Sequence, residues 1–254
     1  MHSVSTEKCV ALIDSGKGLL PTAQWIHRLA PDLRVLLMTD PAGSPWGERD
    51  PGDVVERVFA MARRARDAGA QGIALACNTA SIVAREPLRD QFEPRIPIIA
   101  TVPAVKPAAQ RFDHFAVWAT ETTAHSDYLA DLVQVFAGTK QVDIVGSHGL
   151  ADAIEHADAD RIEAAVQDAV SRTPRVPAVV LGCTHYPLVA DVIASALPPG
   201  TVLLDSAEAV ARQTLRRLKV PADASVAEFS DDAAFAAAGV RDAAELTWAE
   251  HIVL

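Results

Sequence analysis

Two of the three cysteines in this chain of 254 residues stand among residues suited to acid–base chemistry. At 181–188 the chain reads LGCTHYPL, so Cys183 closes an apolar run and is followed by Thr184 and His185. At 74–81 it reads ALACNTAS, where Cys77 closes another apolar run and is followed by Asn78 and Thr79. A free thiol titrates at about 8.5 and is drawn toward neutrality by a helix N-terminus or a nearby charge. Asn78-Thr79-Ala80-Ser81 and Tyr186-Pro187-Leu188 read as helix starts, so backbone amides are expected beside each sulfur. A thiolate and a thiol on opposite faces of a bound α-carbon can remove one proton and return another on the other side. That chemistry inverts a stereocentre with no metal, nucleotide or pyridoxal phosphate.

Rival readings differ in what they leave unused. A cysteine at a strand end is often plain core, and Cys9, early in a strand with no polar cluster, is read that way. Two cysteines at matched positions beside polar residues are harder to assign to packing. Cys183 and His185 supply half of a zinc site, but a closed site takes about four ligands. No second pair has the usual spacing, so no metal is expected. A Cys-His nucleophile pair, as in a thiol hydrolase, is a better rival; it leaves Cys77, Asn78 and Thr79 without a purpose. Asp14-Ser15-Gly16 can serve as a turn, Asn78 and Thr79 as helix caps, and His185 as a structural hydrogen-bonder.

The elements that would position these residues are short apolar runs with helical segments between them. CVALID (9–14), RVLLMT (34–39), GIALAC (72–77), PIIAT (97–101), FAVWAT (115–120), VDIVG (142–146), PAVVLGC (177–183) and TVLLD (201–205) read as strands. They are apolar on both faces, as parallel strands covered by helices require. Segments 53–69, 159–172 and 207–218 carry helical spacing of apolar and charged residues, and the first stops at Gly69. The alternation predicts an α/β fold. Cys183 follows Cys77 by 106 residues, and Thr120 follows Asp14 by 106. The shared offset predicts two similar α/β lobes with mainly parallel sheets about a pseudo-twofold axis. Ligands of such sheets sit beyond the carboxyl ends of strands, so the site is expected in the cleft between the lobes.

Half of the residues are hydrophobic and 22% charged, enough for a real core. A net charge of -10 and a pI near 5.2 argue against a nucleic-acid or anionic-membrane surface. The opening residues MHSVSTEKC lack the basic start and apolar core of a signal peptide, and no apolar run approaches the ~18 residues of a membrane span. Three cysteines with no CxxC pair suit a reduced cytoplasmic compartment.

DSGKG (14–18), PWG (45–47), ACNTAS (76–81), ATETT (119–123), LGCTHYPL (181–188) and LLDSAEAVA (203–211) follow one another in the order seen in glutamate racemases. The chain resembles this cofactor-independent aspartate/glutamate racemase superfamily from about residue 8 to 218. The resemblance implies interconversion of L- and D-glutamate, supplying D-glutamate for peptidoglycan. It implies a lobe of residues 1–98 plus 206–254 against a lobe of 99–205. By motif position Cys77 and Cys183 correspond to the catalytic cysteines, with Asp14 and His185 assisting one each. Ser15, Asn78, Thr79, Thr123 and Thr184 fall on positions that hold the substrate's amino and carboxylate groups, and Thr120 shares their strand end. Pro45, Trp46 and Gly47 fall where the family has Pro-Tyr-Gly. Ser, Asn and Thr with strand-end amides can hold an amino-acid zwitterion, so no arginine is called for. No cofactor is implied, and none of Lys8, Lys17, Lys106, Lys140 and Lys219 sits in a pyridoxal phosphate signature. The partner implied is a small amino acid, and a homodimer is one open option for the assembly.

The chain departs from the family pattern at three places. Lys17, Gly18 and Leu19 follow Asp-Ser-Gly where a small residue and Gly-Gly are usual. Trp46 replaces tyrosine, and bulk at Leu19 and Trp46 is expected to reshape the side-chain pocket. Ser147-His148-Gly149-Leu150 replaces a Cys-Pro-Leu stretch, although Glu155 keeps its spacing. The two-thiol chemistry survives these changes; the substrate stays open between glutamate, aspartate and another amino acid. A non-catalytic binding protein on the same fold is the remaining alternative, and it has little use for two thiols.

Overall fold

The computed structural model describes residues 8–226 and 246–254. The opening heptapeptide read for a leader, and residues 227–245 within the segment assigned to the first lobe, lie outside that range.

All eight predicted strands form. In the first lobe they are β1 (Cys9–Ile13), β2 (Arg34–Thr39), β3 (Gly72–Leu75) and β4 (Ile98–Ala100). In the second they are β5 (His114–Ala119), β6 (Gln141–Gly146), β7 (Ala178–Leu181) and β8 (Val202–Leu204). One strand was not foreseen: β9 (Glu250–Val253) adds to β2 at the edge of the first sheet. The sheet orders are β4-β3-β1-β2-β9 and β6-β5-β7-β8, and every pairing is parallel. β1, β3 and β7 are buried along their whole length, the condition under which a continuous apolar run is a stable strand.

Helices cover both sheets. The first lobe carries α1 (Leu20–Leu29), α2 (Pro51–Asp67), α3 (Asn78–Val83) and α4 (Arg85–Phe92). The second carries α5 (Val105–Arg111), α6 (Glu121–Ala124), α7 (Asp127–Ala137), α8 (Leu150–Glu155), α9 (Ala159–Arg172) and α10 (Ala190–Ala196). The last of the described helices, α11 (Ala207–Leu218), returns to pack on α1, β3 and β4. α2 begins two residues before the predicted start. Asp50 caps it by accepting from the Gly52 and Asp53 N–H groups, and Pro51 fits the first turn, where no N–H is required.

Each lobe has its topological switch point between its central strand and the next one out, β1 and β3 in the first sheet, β5 and β7 in the second. Asp14 and Cys77 follow the first pair; Thr120 and Cys183 follow the second. The repeat differs from the sequence reading by one residue. Ile13 pairs with Leu75, whereas Trp118 pairs with Leu181. If the β3 and β7 positions are matched at 181 − 75 = 106, the central strands are matched at 118 − 13 = 105. Thr120 is therefore the counterpart of Ser15, not of Asp14.

Candidate active site

A cleft of about 430 Å³ opens between the two strand-end faces. From the first lobe Ser15, Pro45, Trp46, Gly47, Cys77, Asn78 and Thr79 line it. From the second come Thr120, Thr123, Cys183, Thr184 and His185. Asp14 and Glu155 stand behind this surface. Cys9 is buried in the first-lobe core.

The first wall is built by β1, β3 and the start of α3. Cys77 occupies the N-cap position of α3 with extended backbone and is 8% exposed. Burial pushes its thiol well above the ordinary value, and the charge of Asp14 adds to that. The Ala80 and Thr79 N–H groups oppose the rise, and the Cys183 thiol across the cleft is near enough to raise it again. Asp14 is fully buried. Its Oδ1 accepts from the Gly16 N–H at 2.8 Å, and its Oδ2 from the Thr184 hydroxyl at 3.4 Å. Burial raises the Asp14 carboxyl to about 6, with the positive field of His185 pulling the other way. A carboxyl so placed exchanges protons near neutrality. Asn78 reaches across the cleft, its Nδ2 donating to the Gly182 carbonyl at 2.8 Å, and its buried Oδ1 has no hydrogen-bond partner.

The second wall is built by β5, β7 and the turn after β7. The expected helix start beside Cys183 is a 3₁₀ turn, Tyr186–Val189, and α10 begins only at Ala190. Cys183 Sγ lies 3.9 Å from His185 Nδ1, and His185 Nε2 lies 2.9 Å from Glu155 Oε2. Burial weakens the imidazole as a base. The bonds to Cys183 and Glu155 and the charge of Asp14 outweigh that, and His185 is held well above its ordinary value. Burial also works to raise Glu155, but His185 and the Lys17 N–H, 2.8 Å from Oε2, hold it below the ordinary carboxylate range. Cys183, His185 and Glu155 thus form a relay running from the cleft into the lobe.

The glycines of DSGKG are set by this crossing of the lobes. A β-carbon on Gly16 would collide with the Glu155 carboxylate. One on Gly18 would stand 2.7 Å from Asp14 Oδ2 and 2.8 Å from His185 Nδ1.

The sequence model of the Asp/Glu/hydantoin racemase family matches residues 22–214. The chain belongs to that racemase family. The glutamate racemase of Salmonella gallinarum is 37% identical over 214 residues, 81% of this chain and 75% of the relative. That of Brucella anthropi is 37% identical over 230 residues, 86% and 82%. The solved Escherichia coli glutamate racemase, in complex with L-glutamate and the activator UDP-MurNAc-Ala, superposes with a TM-score of 0.78 at 32% identity. That match covers 86% of this chain and 85% of the other. A racemase is an isomerase, so the non-catalytic alternative falls away.

Within the racemase cleft, two expectations need correction. Leu19 does not border it: the side chain is fully buried in the core beside α1. Trp46 does border it, but is 1% exposed and its indole N–H is committed to Asp40 Oδ2 at 3.0 Å. Asp40 is in turn held by Arg57 at 3.0 Å. An arginine is also present after all, since Arg161, from the first turn of α9, lines the cleft with Ser147 and His148. In the sequence Arg161 is one charge on an amphipathic helix, and nothing there sets it apart. Among the described residues no group of three or more His, Cys, Asp or Glu side chains is placed to hold a metal ion, and no helix is long and apolar enough to cross a membrane.

Proposed function

We propose that this racemase interconverts L- and D-glutamate by a two-thiol mechanism that uses no cofactor, with D-glutamate for peptidoglycan as its product. One observation carries the reading: Cys77 and Cys183 face one cleft from equivalent strand ends of two lobes. A substrate α-carbon between them has a sulfur on either face. Asp14 serves the Cys77 side, and His185 backed by Glu155 serves the Cys183 side, each taking or giving a proton to its thiol. Ser15, Thr79, Thr120, Thr123, Thr184 and the Gly47 backbone hold the zwitterion, with the free Oδ1 of Asn78 as an acceptor for the ammonium. The relatives named glutamate racemase, one of them solved with L-glutamate, support this substrate. We place the lobe crossings near residues 98 and 206, consistent with the return of α11 to the first sheet.

The test is exchange of the α-hydrogen in deuterated solvent, followed by NMR and circular dichroism with L-glutamate beside L-aspartate. Glutamate should racemise and exchange. Cys77→Ser and Cys183→Ser should each lose racemisation by orders of magnitude while staying folded, because an alcohol is a far weaker acid and a poorer base. Near-normal turnover in either variant would sink the two-base reading, and exchange of aspartate alone would move the substrate.

A further inference from the structure

Among the described residues the cleft is lined by three carboxylate side chains, Glu48, Glu121 and Asp152, and by a single Arg or Lys, Arg161. A dicarboxylic amino acid carries one net negative charge. It must find a cation to enter a cleft whose own rim is acidic. On the first-lobe side the wall offers none: the Trp46 indole N–H is spent on Asp40, and Glu48 follows at once. On the second-lobe side Arg161 Nη2 donates to Asp152 Oδ2 at 2.7 Å, and Asp152 also pairs with His156. The Arg161 side chain is 53% exposed, and among the described residues Asp152 is its one bonded partner. Beside it Ser147 is 2% exposed with an Oγ that has no hydrogen-bond partner. Its neighbour is the buried Tyr186 hydroxyl, which likewise finds no other partner. A buried hydroxyl without a partner is a donor held for something that arrives.

We propose that Arg161, together with Ser147 Oγ, receives the side-chain carboxylate of the substrate at the second-lobe end of the cleft. Arg161 is then a specificity residue that distinguishes an acidic amino acid from its amide. The inference rests on the racemase reading above and adds which residues select the side chain. Ser147 opens the departure from the family pattern at 147–150.

The experiment compares L-glutamate with L-glutamine in steady-state racemisation and α-hydrogen exchange. Wild-type enzyme that exchanges neither removes the racemase reading itself. Where glutamate is exchanged, Arg161→Gln should raise KM for glutamate about tenfold with kcat within about twofold, and narrow the preference over glutamine by a similar factor. Arg161→Lys should recover part of the affinity, and Ser147→Ala should raise KM severalfold. Asp152→Asn separates substrate contact from a rim ion pair. It frees the guanidinium and removes a competing charge, so KM for glutamate should fall. An unchanged KM in Arg161→Gln, or the same rise in Arg161→Gln and Asp152→Asn, would overturn the proposal while leaving the racemase reading intact.

Discussion

Replacing Glu155 by glutamine keeps the side chain's shape and removes its charge from behind His185. The two side chains meet at 2.9 Å and are only 10% and 23% exposed, so solvent screens little of the pairing. A hydrogen bond between charged partners contributes about 1.5–3 kcal/mol, which corresponds to about 10- to 150-fold in rate. Glu155→Gln should lower kcat/KM by that factor. Because the equilibrium constant between enantiomers is one, the fall must be the same in both directions. The asymmetry shows instead in the primary α-deuterium isotope effect. It should grow for the enantiomer that loses its proton to Cys183, which by the family resemblance is L-glutamate, and shrink for the other, whose Cys77 step becomes less rate-limiting. The sign of the pH effect follows from the elevated basicity of His185. Its protonated form contributes stability below the ordinary value of 6.5, and that contribution is lost as pH rises through the folded value. In Glu155→Gln the alkaline limb of the rate profile should move to lower pH, and the loss in melting temperature should be larger at pH 6 than at pH 9. An unmoved limb with equal isotope effects for both enantiomers, in a folded variant, would refute the relay.

Two further outcomes are expected. The Asp14 carboxyl is held at about 6 against an ordinary 3.8, so folding favours its protonated form: this stability is full below about 3.8 and is lost as pH rises to about 6. The gap corresponds to at most about 3 kcal/mol, so Asp14→Asn should melt higher than the parent at pH 8 and not at pH 4, while losing turnover; a lower melting point at pH 8 would count against the burial argument. A β-carbon on Gly182 would stand 2.7 Å from the Trp118 carbonyl oxygen, a backbone atom that cannot swing aside, so Gly182→Ala should destabilise by about 1–3 kcal/mol, and an unchanged urea midpoint would show that the strands adjust.

The sequence disclosed the strands where burial on both faces left one solution, as in CVALI and AVVL. It disclosed the thiols, with Asp14 and His185, because they sit immediately beyond those strands, where chain order and space coincide. What it hid depended on distance in the chain. β9 is exposed at all but Ile252 at a sheet edge, and its ties to β2, such as Arg34 with Glu250, join positions 216 apart. Arg161 reaches the cleft only because α8 and α9 pack together after a left-handed turn at Gly149 with φ +68. The one-residue difference in register between the lobes cannot be read from motif spacing, since it lies in how β5 slides along β7. Leu19 misled because position in a motif does not say which way a side chain points.

Three hydrogen bonds cross the cleft: Lys17 N–H to Glu155, Asn78 Nδ2 to the Gly182 carbonyl, and the Thr184 hydroxyl to Asp14. They are the latch as well as the frame of the chemistry. Bonds of this kind contribute about 0.5–1.5 kcal/mol each, more where a charge is involved. Together they tie Asp14 and Glu155 to residues of the opposite lobe. Any parting of the lobes must break those contacts. Parting the lobes therefore leaves the Cys183–His185–Glu155 relay whole but strips Asp14 and Glu155 of partners from the opposite lobe, so domain motion and the basicity of the reacting groups cannot be tuned apart.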